Sequence, residues 1–244
     1  MHRHLVTSAE LAADTCVLEK EQARHLQTVL RIRAGDRVQL FDGCGATRVV
    51  EVANASTKNQ LVLRAVEPAV AAPRPATAVT LFVCVSKGKR MDWTVEKAVE
   101  LGVARIVPVI SDRTIVRLDR EEGDLKVERW LRVAEEAARQ SSAIWLPEIS
   151  VPQTVTDALA WVRGCSPTFV AALTPDAVPL RTALGRYAAP QQAGWFVGPE
   201  GDFTPDELQR VIDAGAIPVS LGAQVLRAET ACIYGLCALN CAWL

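Results

Sequence analysis

Residues 67–77 (EPAVAAPRPAT) constrain the chain more than any other stretch. Three prolines and four alanines without periodicity leave no face to bury, so the segment reads as a linker. The pattern differs on its two sides. Before it, runs such as Arg37 to Phe41, Thr47 to Val52 and Gln60 to Leu63 read as short strands, and Glu19 to Leu30 reads as one short helix. The turns between them fall at Asp42 to Gly45 and Asn54 to Asn59. Closely spaced strands with a single helix predict a small barrel. After the linker, strands alternate with helices. Val79 to Val85 is continuously apolar, Asp92 to Leu101 and Val127 to Ser141 are helical, and Arg105 to Ile110, Phe169 to Leu173, Trp195 to Val197 and Ile217 to Leu221 are further strands. Thr204-Pro205-Asp206-Glu207 has the form of a capping box with proline at the first helical position, and Ala228 onward is a final apolar helix. The expected fold class is α/β with a largely parallel sheet. The expected domains are a barrel over 1–70, a linker over 71–78 and an α/β domain over 79–244.

Composition narrows the function classes. No apolar run reaches the length of a membrane span, and Glu10 and Asp14 interrupt the N-terminal stretch where a secretion signal would need an apolar core. Seven scattered cysteines form no Cys-x-x-Cys pair, and His2, His4 and His25 do not complete a ligand spacing. We therefore expect a cytoplasmic protein without a metal. The net charge is −1, so nothing global attracts nucleic acid, but cations cluster locally. Arg24, His25, Arg31 and Arg33 fall together with no acid among them, and Lys87, Lys89 and Arg90 form a second knot. Each cluster reads either as a local grip on RNA phosphates or as solvated surface.

Two loops carry the chemistry. In open α/β sheets ligands bind beyond the carboxyl ends of strands. Gly198-Pro199-Glu200-Gly201-Asp202-Phe203 follows one strand, and Leu221-Gly222-Ala223-Gln224-Val225-Leu226 follows another. Their main-chain groups suit a purine edge, with Leu221, Val225 and Leu226 over the ring faces. Neither loop is a phosphate cradle, because the glycine-rich dinucleotide and nucleotide motifs are absent from the sequence.

Taken together, ordered segments resemble one family. These are Lys87 to Trp93, Glu96-Lys97-Ala98, Glu100-Leu101-Gly102, Glu128-Arg129-Trp130, Glu136 to Ser141, Gly198 to Phe203 and Leu226 to Ala231. They are similar to the bacterial 16S ribosomal RNA uridine-N3 methyltransferases of the SPOUT superfamily. Arg24-His25-Leu26, Val29-Leu30-Arg31, Gly35-Asp36 and Phe41-Asp42-Gly43 resemble the family's PUA-like RNA-binding barrel. The resemblance implies a trefoil-knotted α/β domain whose knot loops hold S-adenosylmethionine. It places Leu173, Val197, Gly198, Pro199, Glu200, Gly201, Leu221, Gly222, Val225, Leu226, Thr230 and Ala231 around that cofactor. It further implies a homodimer, with the final helix supplying much of the interface, and ribosomal RNA or the assembled small subunit as partner.

Methylating N3 requires that the imide proton be taken or the resulting anion stabilised. Glu200, Arg227 and Glu229 flank the cofactor loops and are the candidates for that work. Arg24, His25, Arg31, Arg33, Lys87, Lys89 and Arg90 are the candidates for RNA. Three positions depart from the family pattern: Asp202 stands for a usual glycine, while Gln224 and Ala143 stand for usual arginines. These changes keep two other readings open, a non-catalytic RNA-binding or ribosome-assembly factor and a related SPOUT methyltransferase with another RNA target.

Overall fold

The strands before the linker alternate small apolar and polar residues, and the alternation sets which side faces the core. The computed structural model describes residues 1–53, 57 and 59–243, excepting the side chain of His25. Most of the turn expected over 54–59, and Leu244 at the chain end, lie outside the described residues. One unit comprises residues 1–74 and 138–146, and the other residues 75–137 and 147–244.

In the first unit, β1 (His2–Leu5), β2 (Thr15–Glu19), β3 (Arg37–Phe41), β4 (Ala46–Val52) and β5 (Gln60–Ala65) form a sheet in the order β1-β3-β4-β5-β2. Only β1 pairs in parallel, against β3. Cys16 and Leu18 point inward from β2, as Leu61 and Leu63 do from β5, and Leu26 fills the space between. The single helix expected over Glu19 to Leu30 is instead α2 (Lys20–Arg24) followed by a π-helical turn, His25–Val29. The short helix α1 (Ser8–Ala12), absent from the sequence reading, starts on a reciprocal Thr7–Glu10 capping box. The backbone and hydroxyl of Thr7 hold the Glu10 carboxyl below its ordinary range. The Arg48 guanidinium caps the other end of α1, donating to the carbonyls of Leu11, Ala12 and Ala13 and to Asp14.

The proline-rich stretch is not free of the barrel. Val70–Ala71 forms a two-residue strand, β6, on β4, and the Ala72 N–H donates to Gly45 O. Residues 138–146 are tied to the same unit by Arg3, which donates to the carbonyls of Ala138 (2.8 Å) and Ala143 (3.2 Å). The Arg74 guanidinium lies 4.8 Å over the Trp145 ring.

The second unit is a parallel sheet covered by helices. Its elements are β7 (Ala78–Cys84), α3 (Lys89–Glu100), β8 (Arg105–Ile110), α4 (Arg120–Ser141, whose last residues belong to the first unit), β9 (Glu148–Ile149), β10 (Gln153–Thr154) and α5 (Val155–Gly164). There follow β11 (Thr168–Ala171), β12 (Val178–Pro179), α6 (Leu180–Leu184), β13 (Gln192–Val197), α7 (Pro205–Asp213), β14 (Ala216–Ser220) and α8 (Ala228–Trp243). The strand order is β10-β8-β7-β13-β11-β14-β12, with β9 on β8, and the pairings are parallel.

Helices packed on the sheet bury β7 beyond Ala78 and β13 beyond Gln192 residue by residue, so both strands are apolar but for Thr80 and Gln192. Phe82 and Phe196 are fully buried neighbours, 5.2 Å apart, and each such side chain contributes roughly 1.5–3 kcal/mol by leaving water. Helix α3 buries Met91, Val95, Ala98 and Val99, one face at helical spacing, and ends at Gly102. Among the described residues no helix is long and apolar enough to cross a membrane.

Candidate active site

The carboxyl ends of three adjacent strands, β13, β11 and β14, open into a cleft of about 270 Å³. Its walls come from the chain leaving each strand: Ala171 to Leu173, Val197 to Glu200 with Asp202, and Ser220 to Gly222 with Gln224 to Ala228. Ala231 adds the first turns of α8. Every residue assigned above to a cofactor therefore lines the cleft except Gly201 and Thr230. The reading missed Ala171, Ala172, Ser220 and Ala228. Ala228 lies inside the Leu226 to Ala231 segment, whereas no motif marks Ala171, Ala172 and Ser220, which reach the cleft because the ends of β11 and β14 adjoin.

The loop after β13 is braced from below. The Asp202 N–H donates to Pro199 O, and the Asp202 carboxylate accepts from the Phe203 N–H at 2.8 Å. Phe203 packs edge-on against Phe196, and a Cβ on Gly198 would come within 3.1 Å of the Phe203 ring. The Arg113 guanidinium donates to the carbonyls of Gly201 (2.9 Å) and Phe203 (3.3 Å). The capping box expected at Thr204 to Glu207 is present, and Glu207, 2% exposed, also accepts from the Asp112 N–H. At the cleft Leu173 is 65% exposed and Val225 75%, apolar surface available to a ligand beside the polar Glu200, Asp202, Gln224 and Arg227.

The three candidates for chemistry do not share one environment. Glu200 and Arg227 line the cleft. Glu229, on the first turn of α8, stands behind it, with Oε2 buried and without a hydrogen-bond partner among the described residues. Arg90, assigned above to RNA, lies with the carboxylates. Its Nη1 donates to Glu200 Oε1 at 2.8 Å, and its Nε is 4.0 Å from Glu229 Oε1.

Like Arg90, whose side chain is 47% exposed, the other cations sit on the surface. Lys87 and Lys89 are exposed at the start of α3, and Arg24, Arg31 and Arg33 are exposed on the barrel. The His25 side chain is outside the described residues. Of the departures from the family pattern, Asp202 and Gln224 line the cleft, whereas Ala143 belongs to the barrel unit. Among the described residues no group of His, Cys, Asp or Glu is arranged to hold a metal ion.

The model of the RNA methyltransferase domain matches residues 73–240, and that of the RNA methyltransferase PUA domain matches residues 18–66. The Synechocystis protein named ribosomal RNA small subunit methyltransferase E is 30% identical over 98% of this chain and 77% of its own length. The chain belongs to the RNA methyltransferase family. The Mycobacterium bovis protein of the same name is 33% identical over 92% of this chain and 85% of its own. Two solved structures of methyltransferases share the architecture. The Neisseria gonorrhoeae ribosomal RNA small subunit methyltransferase E, solved bound to S-adenosylmethionine, has a TM-score of 0.86 at 30% identity and covers 100% of this chain and 98% of its own. A methyltransferase from Legionella pneumophila, also solved with that cofactor, has a TM-score of 0.88 at 27% identity and covers 99% and 97%. The fold of this RNA methyltransferase is thus α/β with a PUA-like N-terminal domain.

Proposed function

We propose that this chain methylates uridine N3 in small-subunit ribosomal RNA with S-adenosylmethionine as donor, in the cytoplasm and as a homodimer. The observation that carries the reading is the cleft at the ends of β13, β11 and β14, in a chain similar to a small-subunit ribosomal RNA methyltransferase solved with that cofactor. The residues present fit an adenosyl group. Apolar side chains stand exposed at the mouth, the floor is main chain and small residues, and no phosphate cradle competes. Leu173, Val197, Gly198, Pro199, Leu221, Gly222, Val225, Leu226 and Ala231 would hold it, in loops that the family resemblance makes the strands of a trefoil knot. Gly201 and Thr230 would act from just outside the lining.

The donor, when bound, supplies an electrophilic methyl group on a sulfonium. The chain must do the rest. It excludes water with the exposed apolar rim, and it must receive the imide proton or stabilise the anion left on the uracil ring. Glu200 and Arg227 reach the cleft and would take those two tasks, with Glu229 supporting them from outside the lining. Arg24, Arg31 and Arg33 on the barrel, and Lys87 and Lys89 at the start of α3, would meet phosphates. The division expected at 1–70 and 79–244 would then separate an RNA-gripping part from a catalytic part, with residues 138–146 falling to the former.

The test is titration with S-adenosylmethionine followed by nucleotide-resolution mapping of methylation on small-subunit RNA and on assembled small subunits. Binding and a methyl group on uridine N3 are the expected result, and Glu200→Gln should lower turnover about a hundred-fold, much more than it lowers cofactor affinity. A methyl group at another nucleotide would assign a different target. A folded protein that binds RNA but no cofactor would be an assembly factor.

A further inference from the structure

We propose that Arg90 is a positioning residue that holds the cofactor-side loop through Glu200, and that it is not a contact to RNA phosphate. The proposal rests on the reading of the cleft as a cofactor site.

Arg90 starts from a rigid point. It is the second residue of α3, its carbonyl accepts from the buried Thr94 hydroxyl at 3.0 Å, and its neighbour Met91 is buried. From there the guanidinium reaches two carboxylates on separate elements: Glu200 on the loop after β13, at 2.8 Å, and Glu229 on the first turn of α8, at 4.0 Å. A planar guanidinium can serve two acceptors at fixed angles, which a lysine ammonium does less well. Without it, Glu200 would lose its guanidinium donor, and Glu229, whose Oε2 is buried without a hydrogen-bond partner among the described residues, would lose a neighbouring cation.

The geometry also explains why the clamp matters at this end of the helix pair. Helices α3 and α8 pack together, and at their far end Asn240 Nδ2 donates to Leu101 O at 2.8 Å. Arg90 ties the opposite end, where Ala228 and Ala231 form part of the cleft wall. Losing Arg90 would remove one tie on the Glu200 loop and one on the first turn of α8, leaving the Arg113 and Trp195 contacts in place. Lys87 and Lys89, exposed beside it in sequence, remain the candidates for phosphate.

The experiment combines calorimetric titration with S-adenosylmethionine and RNA binding across a salt series. It uses wild type, Arg90→Ala, Arg90→Lys, and a triple Arg24→Ala, Arg31→Ala, Arg33→Ala variant as the phosphate-contact control. Arg90→Ala should weaken cofactor binding about ten-fold, the scale of a lost hydrogen bond between charged groups, and Arg90→Lys should recover part of it. Its slope of log affinity for RNA against log salt should equal that of wild type. A slope reduced by about one, as expected for a lost phosphate contact, with cofactor affinity intact, would overturn the proposal. In a Glu200→Gln background Arg90→Ala should cost little more, whereas a further full ten-fold loss would show that it does not act through Glu200. Should wild type bind no cofactor, the functional reading fails. The same double-mutant cycle read by thermal unfolding then decides the clamp, with non-additive shifts supporting it and additive shifts rejecting it.

Discussion

Asp202 illustrates how a single position balances strain against hydrogen bonding. Its φ of +60° lies in the left-handed region, where a Cβ costs roughly 1 kcal/mol, which gives a physical reason for the glycine usual in the family. Aspartate is among the side chains that tolerate this region, because a short polar group can bond locally. Here the carboxylate accepts from the Phe203 N–H and offsets part of the strain. Asp202→Gly removes both terms and should change stability by less than about 0.5 kcal/mol in urea unfolding. Asp202→Val keeps the Cβ, adds a branch and loses the hydrogen bond, so it should destabilise by about 2 kcal/mol. Equal stability of the valine variant and wild type would mean that the loop accommodates the turn without strain.

At the level of elements, the seating of α8 on β13 shapes one wall of the cleft. Trp195 is fully buried on β13, its indole N–H donates to Ala231 O at 3.2 Å, and its ring occupies the space beside Gly235. A Cβ on Gly235 would come 2.0 Å from that ring. In an exposed helix interior Gly→Ala stabilises by about 1 kcal/mol, so the sign of the effect here is diagnostic. Gly235→Ala should instead destabilise by about 1–3 kcal/mol through overpacking, and should weaken cofactor binding because Ala231 shifts with the helix. A stabilised variant would refute this account of the packing.

The same elements show what was legible in the sequence. The capping box at Thr204 and the apolar runs of β7, β8 and β13 could be read directly, because each is a local pattern. Helix α5 escaped notice although both its signals are local: Thr154 caps it by accepting from the Asp157 N–H, and Val155, Ala158, Leu159 and Val162 keep the helical spacing. The two-residue strands β6, β9, β10 and β12 are too short for any period to register. Both loops that line the cleft were singled out from glycine, proline and position after a strand. The placement of Arg90 beside Glu200 was not, since 110 residues separate them and a basic cluster on a helix reads as surface.

For the whole molecule, the outer face of α8 is the surface that a second copy of the chain would cover. Ala228, Ala231, Cys232, Gly235, Leu236, Leu239 and Trp243 are buried along one side, while Tyr234, Cys237 and Cys241 are exposed on the other. No charged residue follows Glu229 in this helix, so its outer face has little reason to prefer water. A second copy packed there is the homodimer of the proposed function, and thiol chemistry can test it. Burial keeps Cys16, Cys84, Cys165 and Cys232 protonated, with Cys84 pushed up to about 12 and Cys16 to about 11, so none should react while the fold is intact. Cys44 is exposed on the barrel and should react with a thiol reagent at the same rate at every protein concentration. If α8 forms the dimer interface, Cys237 and Cys241 should be slow at micromolar protein and should approach the Cys44 rate on dilution below the dimer dissociation constant, as sedimentation follows the same transition. Rates equal to that of Cys44 at all concentrations would leave the α8 face uncovered and remove this helix from the interface.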